Sequence, residues 1–345
     1  SESVHCIVTS PPYWGLRSYL ADDDPAKAAE MGAEPTLAEY VERMVALFRE
    51  LRRVLRSDGT CWLNLGDGYA ANGRSGLHVK GPTSTLVGSA NAAHTTQSKR
   101  PPDGLKPKDL CLVPYRVAMA LQADGWYLRS NIVWHKPNPM PESIRDRPTS
   151  SHEAVFLLTK SARYWYDADA IREAATSNPA DGRRGDGGSY AFKPTAPVTH
   201  MGVPEGGRNK RNVWTIATRP YSGSHYAVMP PALVAPCILA GCPAKACAAC
   251  GAGWVRVVDL DTSQRRSSRR AAFNDEQGRT DGYTGDPPSN EIAVRRTIGF
   301  RPSCDCNADT LPGVTLDPFM GSGTVAMVAE QHGRDWIGFD LDARN

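Results

Sequence analysis

The sequence predicts an α/β fold in which helices cover a mostly parallel sheet. Apolar, strand-like runs alternate along the chain with segments whose apolar residues recur at helical spacing. Segment 311–345 has the pattern of a strand, a glycine turn, a helix and a second strand that ends on an acidic residue. The 345 residues are enough for one large core and an insertion.

The first half of the chain supplies most of the predicted elements. His5 to Thr9 is an apolar, β-branched run and is the first predicted strand. Thr36 and Glu39 have the spacing of a capping box, which begins a helix that reaches about Leu55. The later elements of this half are strand 60–65, helix 110–122, strand 126–134 and strand 154–159.

The second half adds a short apolar helix and the terminal unit, namely helix 231–240, strand 313–317, helix 324–331 and strand 336–339. Gly321 and Gly323 let the backbone turn tightly after strand 313–317 and let a ligand approach it. Asp340 ends the last strand, where a carboxylate can bond the ribose hydroxyls of a nucleoside cofactor. No lysine follows the glycines, so the turn does not indicate a phosphate-binding loop.

Composition and charge limit the classes of function. The chain has 40 basic and 37 acidic residues, so any contact with nucleic acid must come from local patches. No apolar run approaches the roughly 18 residues of a membrane span, and no secretory signal is evident. We therefore expect a cytoplasmic protein with no membrane partner, whose nine cysteines are thiols or metal ligands rather than disulfides.

A proline-rich motif, Ser10-Pro11-Pro12-Tyr13, follows the first predicted strand. The prolines cannot continue a sheet ladder, so Ser10 is expected at the carboxyl end of the strand, the edge where such sheets bind ligands. The Ser10 hydroxyl and the Pro11 carbonyl can both accept hydrogen bonds from an amino group. Tyr13 offers an aromatic face on which a planar base can stack. The alternative is a stiff strand exit with a packed tyrosine.

Thr9–Trp14 and Asp317–Thr324 resemble the catalytic and cofactor motifs of one family, the amino-methylating DNA methyltransferases that use S-adenosylmethionine. The catalytic motif precedes the cofactor motif, which is the permuted order of the β group of that family. Three further segments are similar to its internal motifs: Trp134–Ser143, Ser151–Lys160 and Gly223–Pro230. The resemblance covers most of the chain, with the exception of roughly 69–108, 176–210 and 243–310.

This resemblance implies a Rossmann-like, S-adenosylmethionine-dependent methyltransferase fold and a set of site residues. The implied catalytic residues are Ser10, Pro11, Pro12 and Tyr13. The implied cofactor-binding residues are Asp317, Phe319, Gly321, Gly323, Thr324 and Asp340. An exocyclic amine is a poor nucleophile because its lone pair is delocalised into the ring. Hydrogen bonds from its N–H groups to Ser10 Oγ and Pro11 C=O would favour a tetrahedral nitrogen aimed at the methyl group.

Double-stranded DNA is the implied partner, with a cognate restriction endonuclease as a candidate second partner. Within the family, Ser-Pro-Pro-Tyr tends to go with N4 of cytosine and Asp-Pro-Pro-Tyr with N6 of adenine. Cytosine N4 is therefore expected, and adenine N6 is the alternative. More distant alternatives are methylation of an RNA base or a protein amide, and a catalytically silent zinc-containing DNA-binding module. Methylation at a cytosine ring carbon needs a Pro-Cys loop, whereas Pro236-Cys237 lies in a helix-like segment.

Two basic, glycine-containing segments interrupt the alternation of strands and helices. The composition of residues 69–108 predicts a loop. The family resemblance implies that residues 176–212 are the target-recognition region, because they lie between the internal motifs and the cofactor half. Arginines and lysines in such segments can contact DNA phosphates and bases. The alternative for each segment is a solvated loop.

Four cysteines predict a structural zinc site. Cys247 and Cys250 form a Cys-x-x-Cys pair followed by glycine, and Cys304 and Cys306 form a Cys-x-Cys pair. Four thiolates from two close pairs suit tetrahedral zinc and leave no open position for catalysis. The polar, basic segment between the pairs predicts a mobile loop. The alternative is a set of unpaired thiols.

These expectations divide the chain into three parts: a first catalytic part, 1–241, a zinc-knuckle insertion, 242–310, and a cofactor-binding part, 311–345. Members of the family usually carry a strand before the catalytic strand and a helix after the final acid. The sequence supplies neither, so we expect a fragment cut at both ends. Its cofactor pocket is expected to be open on the adenine side and to bind S-adenosylmethionine weakly.

Overall fold

A seven-stranded sheet forms the framework of the larger of two units. The computed structural model describes residues 2–15, 23–70, 104–174, 207–218, 228–261 and 294–341. The larger unit comprises Ser1–Asp167, Arg211–Trp254 and Pro302–Asn345, and the smaller one comprises Ala168–Lys210 and Val255–Arg301. Among the described helices, none has the length and apolar character needed to cross a membrane.

The strands in chain order are β1 (Val4–Thr9), β2 (Leu55–Leu65), β3 (Tyr127–His135), β4 (His152–Thr159), β5 (Val213–Thr215), β6 (Ala246–Cys247), β7 (Val255–Asp261), β8 (Val294–Arg301), β9 (Thr310–Leu311), β10 (Val314–Asp317) and β11 (Asp335–Gly338). The helices are α1 (Leu37–Val54), α2 (Val113–Ala123), α3 (Pro231–Gly241) and α4 (Thr324–Gln331). Short 3₁₀ helices cover Lys27–Ala29 and Ala168–Ile171. The large sheet has the strand order β11-β10-β1-β2-β4-β3-β5.

Most neighbouring strands of this sheet are parallel, as the sequence predicts. β1 runs parallel to β10 and β2, β10 to β11, and β3 to β5, whereas β4 is antiparallel to both of its neighbours. The carboxyl ends of β1, β2, β3 and β10 therefore meet the amino end of β4 at one edge of the sheet. We call this the carboxyl edge and define it by Ser10, Gly66, Lys136, Glu153 and Asp317.

Burial explains where these elements form. All six residues of β1 are buried, as expected for a central strand covered on both faces. Thr36 caps α1 through a complete capping box with Glu39, as predicted, and the helix buries one apolar face against the sheet. Its buried residues are Leu37, Tyr40, Met44, Phe48 and Leu51.

Several element boundaries differ from those predicted. α1 ends at Val54, about where the sequence predicts, but β2 begins at once at Leu55, five residues before the predicted start of that strand at 60. α2 begins at Val113 rather than at 110, because Leu112 adopts a left-handed conformation. Asp67 accepts a hydrogen bond from Val113 N at 3.0 Å and so fixes that helix start.

The sequence did not indicate β5, which has only three residues and no alternating pattern. In the smaller unit, β7 and β8 pair as an antiparallel hairpin on either side of the predicted mobile loop. Residues 262–293 of that loop lie outside the described residues, as do most of segments 69–108 and 176–212.

Candidate functional site

The carboxyl edge brings the two ends of the chain together. β1 and β10 are adjacent and parallel, with Ile7 opposite Leu316. At the end of this pairing, Thr9 Oγ1 donates a hydrogen bond to Asp317 Oδ1 at 2.9 Å, although the two residues are 308 positions apart. The proline-rich motif that begins at Ser10 and the glycine turn that follows Asp317 therefore leave the sheet from neighbouring strands.

Asn64 fixes the direction of the hydrogen bond made by Ser10. Its Nδ2 donates to Glu153 Oε2 and to the Ala154 carbonyl, both at 3.1 Å. The amide oxygen therefore faces Ser10, whose Oγ lies 3.2 Å from Asn64 Oδ1. An amide oxygen can only accept, so the Ser10 hydroxyl donates, either to this oxygen or to the Tyr13 hydroxyl 3.3 Å away, and its own lone pairs can accept from another donor.

Tyr13 is held by its hydroxyl and by its ring. The hydroxyl donates to Glu153 Oε2 at 2.8 Å and lies 3.0 Å from Asn64 Oδ1. Lys136 Nζ forms an ion pair with the other oxygen of the Glu153 carboxylate. The ring packs on Gly66, where an added Cβ would lie 2.5 Å from Tyr13 Cε2. Burial, together with the nearby Glu153 carboxylate, raises the pKa of Tyr13 well above its ordinary value, so it remains a neutral phenol.

Hydrogen bonds from α1 and from the segment before it support the proline-rich loop. Tyr40 of α1 donates through its hydroxyl to the Pro12 carbonyl at 3.0 Å, and Trp14 Nε1 donates to the Glu34 carbonyl at 3.0 Å. Within the described part of the chain, no donor bonds the neighbouring Pro11 carbonyl. The Pro12 carbonyl is therefore used by the fold, while the Pro11 carbonyl remains available to a ligand.

The glycine turn after β10 leaves open space beside its backbone. Gly321 and Gly323 have φ angles of +49° and +76°, which favour glycine, and no described atom lies within 4 Å of a Cβ built on either. α4 follows with no side-chain cap among the described residues, so backbone N–H groups of its first turn, beginning at Thr324, face that space. Asp340, two residues after the end of β11, accepts a hydrogen bond from Gly321 N at 2.7 Å.

Asp317 is a buried carboxylate at the base of this turn. Besides the Thr9 hydroxyl, it accepts a hydrogen bond from Phe319 N at 3.0 Å. Its side chain is buried, and this burial raises its pKa to about 7, with a smaller contribution from the charge of Asp340. Phe319 packs against the hydrophobic core. Two acidic side chains and an open glycine turn suit a nucleoside ligand with hydroxyl and cationic groups, whereas the helix amino terminus favours an anionic group of the same ligand.

The structure also gathers the four cysteines predicted to bind zinc. The Sγ atoms of Cys247, Cys250, Cys304 and Cys306 all lie within 4.8 Å of one another. The backbone N–H groups of Cys250 and Ala249 point at the sulfur of Cys247 and lower its pKa to about 7. The cluster lies in the segment that connects α3 to β10.

Four residues that organise the site were not assigned a role from the sequence, namely Thr9, Asn64, Lys136 and Glu153. Asn64 is a polar residue inside the otherwise apolar end of β2, and this was a usable signal. Lys136 and Glu153 fall within segments that resemble internal family motifs, but only the pairing of β3 with β4 brings them together.

Comparison with known proteins places this site in one family. Residues 4–246 and 310–344 match the family model for N6 and N4 DNA methylases. The chain is 36% identical over 343 residues to the Type II methyltransferase M.Cfr9I of Citrobacter freundii, covering 99% of this chain and 78% of the relative. It is 44% identical over 242 residues to M.SmaI of Serratia marcescens, covering 70% of each chain. The PvuII DNA methyltransferase (cytosine-N4-specific) superposes with a TM-score of 0.49 and 14% identity, covering 99% of this chain and 76% of that one.

The raised pKa of Asp317 predicts a pH dependence of stability. Because the pKa is about 7 in the folded chain against an ordinary 3.8, the native state keeps a proton that the unfolded state loses between these values. The free energy of unfolding should therefore fall as pH rises from about 4 to 7, by up to about 1.4 kcal/mol per pH unit from this group.

Replacing Asp317 by Asn should remove this contribution. Urea titrations of the native chain and of Asp317→Asn across that pH range measure it, with the exposed Asp23→Asn variant as the matched control. The slope should flatten in Asp317→Asn alone. The same slope in all three proteins would contradict the raised pKa.

Proposed function

Since this chain belongs to the N6 and N4 family of DNA methylases, we propose that it methylates the N4 amine of cytosine at a defined short site in double-stranded DNA. Methylation of DNA from S-adenosylmethionine is the activity of the family, and the choice of cytosine N4 is the proposal. The observation that carries it is the orientation of Ser10, whose hydroxyl donates to Asn64 or Tyr13 and leaves its lone pairs able to accept beside the cofactor strand.

The residues around the glycine turn fit the cofactor. In this proposal Asp340 would bond the ribose hydroxyls, while Gly321, Gly323 and Thr324 would hold the methionine part through backbone groups at the start of α4. The buried Asp317 carboxylate and Phe319 form the floor of the pocket. When bound, S-adenosylmethionine supplies an electrophilic methyl group on a positively charged sulfur, which suits a pocket that carries two carboxylates.

Ser10 and Pro11 hold the amine that is methylated. One amine N–H donates to Ser10 Oγ and the other donates to the Pro11 carbonyl, which no described donor bonds. These two acceptors would draw the nitrogen towards a tetrahedral geometry and direct its lone pair at the methyl group. The bond from that methyl to sulfur would break as the bond to nitrogen forms, and the nitrogen would then lose one proton to water. Catalysis consists mainly of alignment and of fixed polar groups, and no covalent enzyme intermediate is needed.

Tyr13 stacks on the base once it has left the duplex. The ring cannot rotate freely, because its hydroxyl is bonded to Glu153 and its edge packs on Gly66. A pre-oriented ring loses little entropy on binding, and its stacking offsets part of the few kcal/mol that unstacking the base costs. Pro12 stiffens the loop between the two acceptors and this ring, and its carbonyl is anchored by Tyr40.

We propose that the chain consists of a catalytic domain and an insertion. Residues 1–241 and 311–345 form the catalytic domain, and 176–212 form its target-recognition region. The family model leaves 247–309 unmatched, which supports 242–310 as an insertion. The Type II designation of the relatives supports a cognate restriction endonuclease as a partner.

Nucleoside analysis tests the choice of base. DNA from cells that express the full chain should contain N4-methylcytosine, and modification-sensitive sequencing should place it at one short motif. Ser10 motivates this expectation, because Ser-Pro-Pro-Tyr goes with cytosine N4 in the family that the motif resembles. Mass spectrometry that finds only N6-methyladenine would overturn the choice of base and leave the family intact.

Two substitutions of Tyr13 separate its ring from its hydroxyl. Tyr13→Ala should lower turnover at least about tenfold, because stacking of about 1–3 kcal/mol is lost. Tyr13→Phe keeps the ring and loses only the contacts of the hydroxyl with Glu153, Asn64 and Ser10, so turnover should fall much less. Single-turnover rates with saturating cofactor measure both. Equal rates for Tyr13→Ala and the native chain would remove Tyr13 from the base pocket.

A further inference from the structure

The insertion carries a group of ligands that the methyl-transfer site does not use. Cys247 and Cys250 flank a tight turn after β6, and Cys304 and Cys306 lie on the segment that leads into β9. The pairing of β6 with β9 sets Cys247 opposite Thr310 and so brings the two pairs together. The four sulfur atoms lie within 4.8 Å of one another, close to the roughly 3.8 Å separation in a tetrahedral site with Zn–S bonds of about 2.3 Å.

The backbone around the first pair is shaped as a metal-binding knuckle. The N–H groups of Ala249 and Cys250 form hydrogen bonds with the Cys247 sulfur. Gly251 has a φ of +71° and donates its N–H to the Cys247 carbonyl at 2.7 Å, which closes the turn. This arrangement presents sulfur atoms inward and suits a cation bound by thiolates.

The five cysteines outside the cluster differ in burial from most of its members. All nine cysteines are free thiols. The five outside the cluster are buried, and two cluster members, Cys250 and Cys306, are exposed. Buried thiols act as small apolar residues, whereas exposed thiols that converge on one point suit a shared ligand.

We propose that Cys247, Cys250, Cys304 and Cys306 hold one structural Zn²⁺ that fastens both ends of the insertion to the amino edge of the sheet, opposite the carboxyl edge. Zinc is favoured because a closed four-thiolate site matches its preferred ligands and geometry. The site has no open position for a substrate, so the metal acts on the fold and not on the methyl transfer.

Hydrogen bonds from the knuckle identify what the metal would fix. The Cys250 carbonyl accepts from Arg56 of β2 at 2.9 Å, and the Gly251 carbonyl lies 2.9 Å from His5 Nε2 of β1. His5 Nδ1 accepts from Val314 N at 3.0 Å, so Nε2 carries the proton and donates to Gly251. His5 thus joins the knuckle to the first residue of β10, the strand that carries Asp317.

Gly251 has a second role in this contact. A Cβ at this position would lie 2.3 Å from Arg56 Nη1, so a larger residue here would push the Arg56 guanidinium away from the knuckle. Arg56 is itself held by Asp58 through an ion pair at 2.8 Å. Loss of the metal should therefore loosen the start of β10 and lower stability, while each group at the carboxyl edge remains in the chain.

Metal analysis of the full chain tests the proposal independently of methyl transfer. Protein purified under reducing conditions without chelators should contain about one zinc per chain by elemental analysis. The double variant Cys304→Ser, Cys306→Ser should lose that zinc and melt at least about 5 °C lower. Cys111→Ala, a buried thiol outside the cluster, is the matched control and should keep its zinc.

Cobalt replacement keeps the proposal testable if the double variant does not fold. The native chain loaded with Co²⁺ should show the thiolate charge-transfer and tetrahedral bands of a four-sulfur site. Full zinc in the double variant, or a folded, reduced native chain that takes up neither zinc nor cobalt, would overturn the proposal. So would iron as the only bound metal, or disulfides between these cysteines in freshly purified protein.

Discussion

The parallel pairing of β1 with β10 is the constraint on which the site depends. It joins two segments from opposite ends of the chain, and the buried hydrogen bond from Thr9 to Asp317 stabilises the carboxyl end of this strand pair. A slip of one residue would turn every side chain to the other face of the sheet. Thr9 would then lose Asp317, and Ser10 would point away from the glycine turn. Complete burial of β1 makes such a slip costly, because polar side chains would replace apolar ones in the core.

At the carboxyl edge, a network of polar side chains determines which group donates and which accepts in each hydrogen bond. Lys136 holds one oxygen of Glu153, and the other oxygen accepts from Tyr13 and Asn64. Asn64 must then turn its own oxygen to Ser10. A charged pair at one end of the network thus orients the Asn64 amide and, through it, the Ser10 hydroxyl at the other end. Networks of this kind are rigid when every member is satisfied, and rigidity is what an alignment-based reaction requires.

The residues proposed to bind the base and the cofactor lie at one edge of the sheet, and the contacts of the cysteine knuckle lie at the opposite edge. The residues proposed to hold base and cofactor follow the carboxyl ends of β1 and β10, whereas the knuckle bonds His5 and Arg56 near the amino ends of β1 and β2. The insertion separates β10 from the rest of the sheet along the chain, so ordering β10 costs loop-closure entropy. A contact network that pins the start of β10 offsets that cost without entering the pocket.

The sequence by itself determined the alternation of strands and helices, the capped start of α1, the two motifs and the cysteine pairs, because each depends on residues close together in the chain. It indicated Ser10 and Asp340 as site residues for the same reason. It could not determine β5, the start of α2 or the partners of Ser10 and Tyr13. Asn64, Lys136 and Glu153 meet only because β4 runs antiparallel between β2 and β3. Strand order is a property of the whole core, and only the tertiary structure decided it.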